Sequence, residues 1–155
     1  MPTYKETRAY RGERLSLDSP NLQEYARFEL SRSQHIRLRM SGTTMRPTID
    51  DGDWITIEAI DPTTVRPHDI ILYASGSGTV VVHRVIGFEE RAGCTYAIAR
   101  GDRSEYFDAP IPLTQILGRV MTIERHTTGR VISLRPVPSL RLRVVEFLKR
   151  LFRGR

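Results

Sequence analysis

The chain has 155 residues, 39% hydrophobic and 27% charged, the balance of one globular domain and not of a disordered polypeptide. Its formal net charge is +6, from 24 Lys and Arg against 18 Asp and Glu, which invites an anionic partner. That excess is local: residues 138–155 hold six basic side chains against Glu146 alone, while residues 1–137 hold 18 basic against 17 acidic, which argues against a nucleic-acid face across the whole domain.

In chain order, residues 1–34 form a polar N-terminal segment of mixed charge. Its first residues lack the apolar core of a secretory signal. Asp18-Ser19-Pro20 has the chemistry of a helix start. Leu22, Tyr25, Ala26, Glu29 and Leu30 then make a helical stripe through Ser33, enough for a packing helix and too short for an independent DNA-binding module.

From His35 the period becomes two. Ile36, Leu38 and Met40 alternate with Arg37 and Arg39, as a half-buried strand does. Further strands are expected at 54–58, 69–73, 79–86, 94–99, 116–123 and 130–134, with a hairpin tip at Gly76-Ser77-Gly78. Residues 35–137 therefore read as an all-β domain of roughly seven strands without a convincing helix.

Residues 138–155 return to a helical period. Leu140, Val144, Phe147, Leu148, Leu151 and Phe152 share a face, with Arg141, Arg143, Lys149, Arg150 and Arg153 on other sides. A dozen residues at ~1.5 Å each reach only ~20 Å, too short to span a bilayer. The tail fits an interfacial helix on anionic lipid, or equally a helix docked on the protein or on a partner. With no apolar run of ~18–20 residues elsewhere, the expected location is the cytoplasm, with the tail as a route to the inner membrane face.

The residue inventory narrows the chemistry. The single cysteine, Cys94, excludes an intramolecular disulfide, a CxxC pair and a cysteine zinc cluster; at the start of a strand it is expected to be buried or inert. The only lysines are Lys5 and Lys149, so a lysine base in mid-chain is excluded. No metal site and no cofactor are expected. The loop Ser41-Gly42-Thr43-Thr44-Met45-Arg46-Pro47-Thr48 sets hydroxyls beside backbone N–H groups, the parts of a nucleophile with an oxyanion hole, although such a loop is more often only a turn. His83 lies within a β-branched run, where a lone histidine is usually structural.

The ordered series of short boxes changes those odds. Gly42-Thr43-Thr44-Met45-Arg46-Pro47-Thr48, Gly52-Asp53, His68-Asp69-Ile70-Ile71, His83-Arg84-Val85, Gly101-Asp102 with Asp108, and Gly118-Arg119-Val120 follow one another over about 80 residues. This order resembles the signal peptidase I family, in the Ser-His-Asp branch that includes the endoplasmic-reticulum and archaeal enzymes. The resemblance implies a signal-peptidase-like all-β catalytic domain, to which the pattern adds the short N-terminal helix and the C-terminal amphipathic helix, acting as an endopeptidase on an extended peptide or precursor protein.

It also implies roles. Thr44 stands at the nucleophile position and His83 at the general base. Asp108, or in second place Asp102, fixes the imidazole tautomer. The backbone N–H of Thr44 helps hold the oxyanion, and Gly42, Thr43 and Met45 support the loop. The peptide binds as a strand along a sheet edge.

Two departures qualify the resemblance. Threonine replaces the family's serine, keeping the hydroxyl but adding a methyl that stiffens χ1 and crowds the attack path. The expected transmembrane anchor before the nucleophile box is replaced by a polar segment, which points to a cytosolic peptide and not to exported precursors. The rival expectations are a pseudo-peptidase that grips peptides without cutting them and, more remotely, a repressor-type regulatory protein; nucleic acid is not an expected partner.

Overall fold

The computed structural model describes residues 21–134. The expected helix start at Asp18-Ser19-Pro20 and the basic C-terminal helix lie outside the described residues.

Helix α1 (Leu22–Ser33) buries Leu22, Ala26 and Leu30, the i, i+4, i+8 stripe that the sequence pattern anticipates. It ends at Gln34, whose φ of 66° turns the chain into the sheet. Eight strands follow: β1 (His35–Arg39), β2 (Trp54–Glu58), β3 (Ile70–Ala74), β4 (Val80–Arg91), β5 (Cys94–Arg100), β6 (Ile111–Pro112), β7 (Ile116–Glu124) and β8 (Val131–Ser133). They form one antiparallel sheet in the order β1-β2-β7-β3-β4-β5-β6, with β8 added to β7. The strand beyond the seven anticipated is β6, two residues long and without a readable alternation. β4 also runs past Ile86 to Arg91, because a bulge between Val85 and Gly87 resets its register on β5.

The sheet packs two apolar clusters. One gathers α1 with Ile36, Leu38, Ile55, Ile57, Leu72, Val82 and Ile123; the other gathers Ile71, Tyr73, Val85, Ala97, Ala99 and Ile111. β3 sends Ile70 and Leu72 into the first and Ile71 and Tyr73 into the second, which is why its five residues form an unbroken apolar run. The β3–β4 hairpin turns at Gly76–Gly78, closed by the Ser75 N–H donating to the Thr79 carbonyl at 2.7 Å. Cys94 opens β5 as expected, but it is exposed and not buried, because it sits at the outer end of the β4–β5 ribbon opposite Arg91.

Several of the short boxes serve the fold. At Gly118 a β-carbon would lie 2.5 Å from the Glu58 carbonyl oxygen, so only glycine lets β7 approach β2 this closely. Beside it Arg119 pairs with Glu58 at 2.6 Å and reaches Asp69 at 3.4 Å. His68 has a φ of 77°, in the left-handed region that β-carbons disfavour.

Candidate active site

Thr44 lies in the loop between β1 and β2. That loop is held at its base by Asp53, a buried carboxylate that accepts from the Asp50 N–H at 2.9 Å, Arg125 Nη1 at 2.6 Å and the His126 N–H at 3.1 Å. Burial opposes the charge on Asp53, but these hydrogen bonds outweigh it and hold the carboxyl below its ordinary value. Arg125 also donates to the Pro47 carbonyl, and the Arg46–Pro47 peptide bond is cis. The Gly42 N–H donates to Asp51 Oδ1 at 3.0 Å.

Three side chains from three parts of the chain meet at the top of this loop. Thr44 Oγ1 is 3.3 Å from His83 Nε2, and His83 Nδ1 is 2.7 Å from Asp108 Oδ2. Asp108 is placed by its own N–H, which donates to the Ala99 carbonyl on β5 at 2.9 Å. With Asp108 accepting at Nδ1, the ring carries its proton there and presents Nε2 to the threonine hydroxyl, the polarity a general base requires. Thr44 itself is exposed to solvent.

Asp102 does not touch His83. It takes a two-pronged ion pair from Arg84, with both N···O distances 2.7 Å, and a hydrogen bond from Thr48 Oγ1. Burial opposes its charge, but Arg84 and Thr48 more than offset this and hold its carboxyl low. This clamp joins the Thr44 loop through Thr48, the histidine strand through Arg84, and the turn after β5 through Asp102. Arg84 Nη1 also donates to the His68 carbonyl at 3.0 Å. Of the two carboxylates the sequence left open for the third role, Asp108 is thus the one against the ring.

Gly101 closes the arrangement. A β-carbon there would lie 2.8 Å from the Thr44 carbonyl oxygen and 3.1 Å from both Thr44 Cβ and His83 Nε2. The neighbouring Arg103 N–H donates to the same Thr44 carbonyl at 2.8 Å. Among the remaining loop residues, Met45 is buried in the first apolar cluster, while Gly42 and Thr43 are exposed. The Thr44 N–H has no acceptor among the described residues.

Thr44 and His83 open onto a groove of about 530 Å³, bordered by Met40 and Ser41 after β1 and by Val80, Val81 and Val82 of β4. The Val80–His83 stretch of β4 pairs with β3 alone, since β5 joins only from Arg84 onward, and β1 pairs only with β2 among the described residues. Among the described residues, strand edges with unpaired backbone groups thus flank the groove.

One residue at this site carried no signal in the sequence. Tyr73, buried in the second cluster, lies near enough to Asp108 for the carboxylate to act on its phenol. Burial first, and then the neighbouring Asp108 carboxylate, push the phenol far above the usual tyrosine range, so it remains protonated. It stood hidden inside an apolar strand run; only the pairing of β3 with β4 brings it near His83.

Among the described residues no cluster of His, Cys, Asp or Glu is arranged to hold a metal ion, and no helix is long and apolar enough to cross a membrane. No protein-family model matches the chain, and no curated protein is significantly similar to it.

Proposed function

We propose that this chain is a signal-peptidase-like endopeptidase in which Thr44 serves as nucleophile, His83 as general base and Asp108 as the carboxylate that orients the base. The observation that carries the reading is the continuous Thr44–His83–Asp108 chain of polar contacts at the mouth of a strand-edged groove. An extended peptide would add to the free strand edges and present its carbonyl to Thr44. His83 Nε2 takes the hydroxyl proton as Oγ1 attacks that carbonyl, and the Thr44 N–H donates to the oxyanion. His83 then passes the proton to the leaving amine, leaving an acyl ester on Thr44. Water, deprotonated by the same imidazole, hydrolyses that ester.

The second reading, a peptide binder without cleavage, draws on the 3.3 Å Thr44–His83 contact, near the long end of hydrogen bonding, and on the crowding methyl of threonine. Peptide libraries incubated with wild type, Thr44→Ser, Thr44→Ala and His83→Ala, and read by mass spectrometry, decide between them. Cleavage by wild type and Thr44→Ser, absent in both alanine variants, is expected. If Thr44→Ser is as inert as Thr44→Ala on peptides that bind, the protein is a binder.

A further inference from the structure

A guanidinium taken partly out of water needs partners for its five N–H donors. Five arginines among the described residues are half-buried, and four of them are provided for. Arg84, Arg119 and Arg125 each hold a carboxylate, at 2.7, 2.6 and 2.6 Å, and Arg100 lies over Phe107, 5.3 Å from the ring centroid. The fifth is Arg39. Its Nε donates to the Gly52 carbonyl at 3.2 Å, and its two terminal nitrogens meet no carboxylate among the described residues. The acidic side chains nearest to it in sequence and register are engaged elsewhere: Glu124 with Arg37, Asp50 with Arg46, Asp51 with the Gly42 N–H and Asp53 with Arg125.

The backbone of β1 sets Arg39 at the free edge beside the groove. Met40 turns both of its backbone groups toward β2: its N–H donates to the Asp53 carbonyl at 2.8 Å and its carbonyl accepts from the Gly52 N–H at 2.9 Å. Backbone groups alternate sides along a strand, so those of Arg39 face away from β2. A peptide strand that pairs with this edge sets one residue directly opposite Arg39, Cα to Cα about 5.5 Å, with its side chain on the Arg39 face. The residues before and after it in the peptide point to the other face, where Leu38 and Met40 join the first apolar cluster. Arg37 shares the face of Arg39, but its guanidinium sits over Trp54, 4.2 Å from the ring centroid, and pairs with Glu124 at 2.7 Å.

We propose that Arg39 is a specificity-determining residue that reads a carboxylate on the bound peptide, so that the substrate class is extended peptides or precursor proteins with Asp or Glu opposite Arg39. On the peptidase reading, on which this rests, the acid sets which bonds are cut; on the binder reading it sets which peptides are held. The terminal nitrogens of an arginine form a planar fork that matches a carboxylate with two parallel hydrogen bonds. Nε, held by the Gly52 carbonyl, fixes the fork before the peptide arrives, which lowers the ordering cost of making those bonds. Glutamine at the same place of the peptide offers one neutral acceptor, and lysine meets the guanidinium as a like charge. The two faces of the peptide strand therefore ask for different chemistry. The face over Met40, Val80 and Val82 takes apolar side chains, and the face beside Arg39 takes an acid.

The test is a library of short peptides in which Glu, Gln or Lys is fixed at each position in turn. Cleavage by wild type and Thr44→Ser, and retention on immobilised Thr44→Ala, are read by mass spectrometry. With cleaved peptides aligned on the scissile bond, Glu is expected to be favoured over Gln by about 5-fold at one position and not at the positions on either side of it. Retention on Thr44→Ala is expected to rank Glu over Gln over Lys. Both preferences are lost when Arg39→Gln is added, and both turn toward Lys in Arg39→Glu, a reversal that misfolding does not produce. An acid preference equal at every position, or one that Arg39→Gln leaves intact, overturns the proposal, since the charge of the whole protein would do that. Cleavage without an acid preference overturns it and leaves the peptidase reading standing. Retention that follows the charge at position 39, with no cleavage by wild type or Thr44→Ser, supports it and overturns the peptidase reading. If no peptide is cleaved or retained, both fall.

Discussion

Replacing Gly101 by alanine puts the geometry of the site under direct load. The backbone at 101 is not in the left-handed region, so alanine is tolerated conformationally and the penalty is steric. Its methyl would sit 2.8 Å from the Thr44 carbonyl oxygen and 3.1 Å from His83 Nε2. Carbon settles against its neighbours at roughly 3.5 Å, so one side must give by roughly half an ångström. The Thr44 carbonyl has little room to do so, because it is held by the Arg103 N–H at 2.8 Å, two residues beyond Gly101 on the same turn. The Thr44–His83 contact has little slack either: at 3.3 Å it ends at a further ~0.2 Å. With ~1 Å of misplacement worth about 100-fold, a shift of half that is expected to cut kcat by about 10-fold or more. Overpacking should also lower folding stability by about 1–3 kcal/mol. The assay is kcat and KM for Gly101→Ala on a peptide that wild type or Thr44→Ser cleaves, with urea denaturation in parallel. Unchanged kcat and unchanged stability together would refute the reasoning, as would a change confined to KM, because the crowding acts on the reacting groups and not on the groove walls.

Two further outcomes follow from the struts around the site. His68→Gly relieves a β-carbon at φ 77° while keeping the carbonyl that accepts from Arg84, and is expected to raise stability by about 0.5–1 kcal/mol in urea denaturation; a destabilised variant would show that the imidazole makes a contact worth more than the strain. Asp53 and Asp102 both hold their protons less tightly in the fold than at the ordinary value of 3.8, so their stabilisation is complete above that value and is lost as pH falls through the lower folded values. Asp102→Asn is therefore expected to cost about 2 kcal/mol at pH 7, and to flatten the loss of stability below pH ~4 that wild type shows in denaturation curves taken at a series of pH values.

How much of this was legible in the sequence depended on whether the signal was local. The stripe Leu22, Ala26, Leu30 and the alternations at 36–40 and 54–58 are set by neighbours on one element, and α1, β1 and β2 follow them closely. β6 leaves no mark in the sequence because two residues carry no period, and β4 extends beyond its visible alternation because the bulge at Ile86 breaks a pattern that β5 nevertheless continues to pair. At the site, Thr44, His83 and Asp108 were readable only through the resemblance that orders them; no spacing along the chain says that residues 39 and 25 positions apart will touch. Asp108 ranks ahead of Asp102 in sequence only through the resemblance, since both carboxylates follow Gly101 within seven residues. What separates them is Arg84, which takes both oxygens of Asp102 and leaves Asp108 for the ring.

That division of labour between the two carboxylates also bears on the threonine. The clamp of Arg84 on Asp102 and Thr48 fixes the Thr44 loop against β4 independently of the hydroxyl at position 44. Gly101 then leaves the Thr44 β-carbon room that any other residue at 101 would fill, with 3.1 Å already the distance from that β-carbon to where a methyl on Gly101 would stand. The extra methyl of threonine is thus accommodated on an exposed loop whose backbone is anchored on both sides, by Asp53 and Arg125 at its base and by Asp102 and Arg103 at its top. With the backbone held this firmly, the difference between threonine and serine reduces to the χ1 preference of one side chain. Thr44→Ser should therefore alter rate with little change in folding stability, whereas Asp102→Asn should alter both.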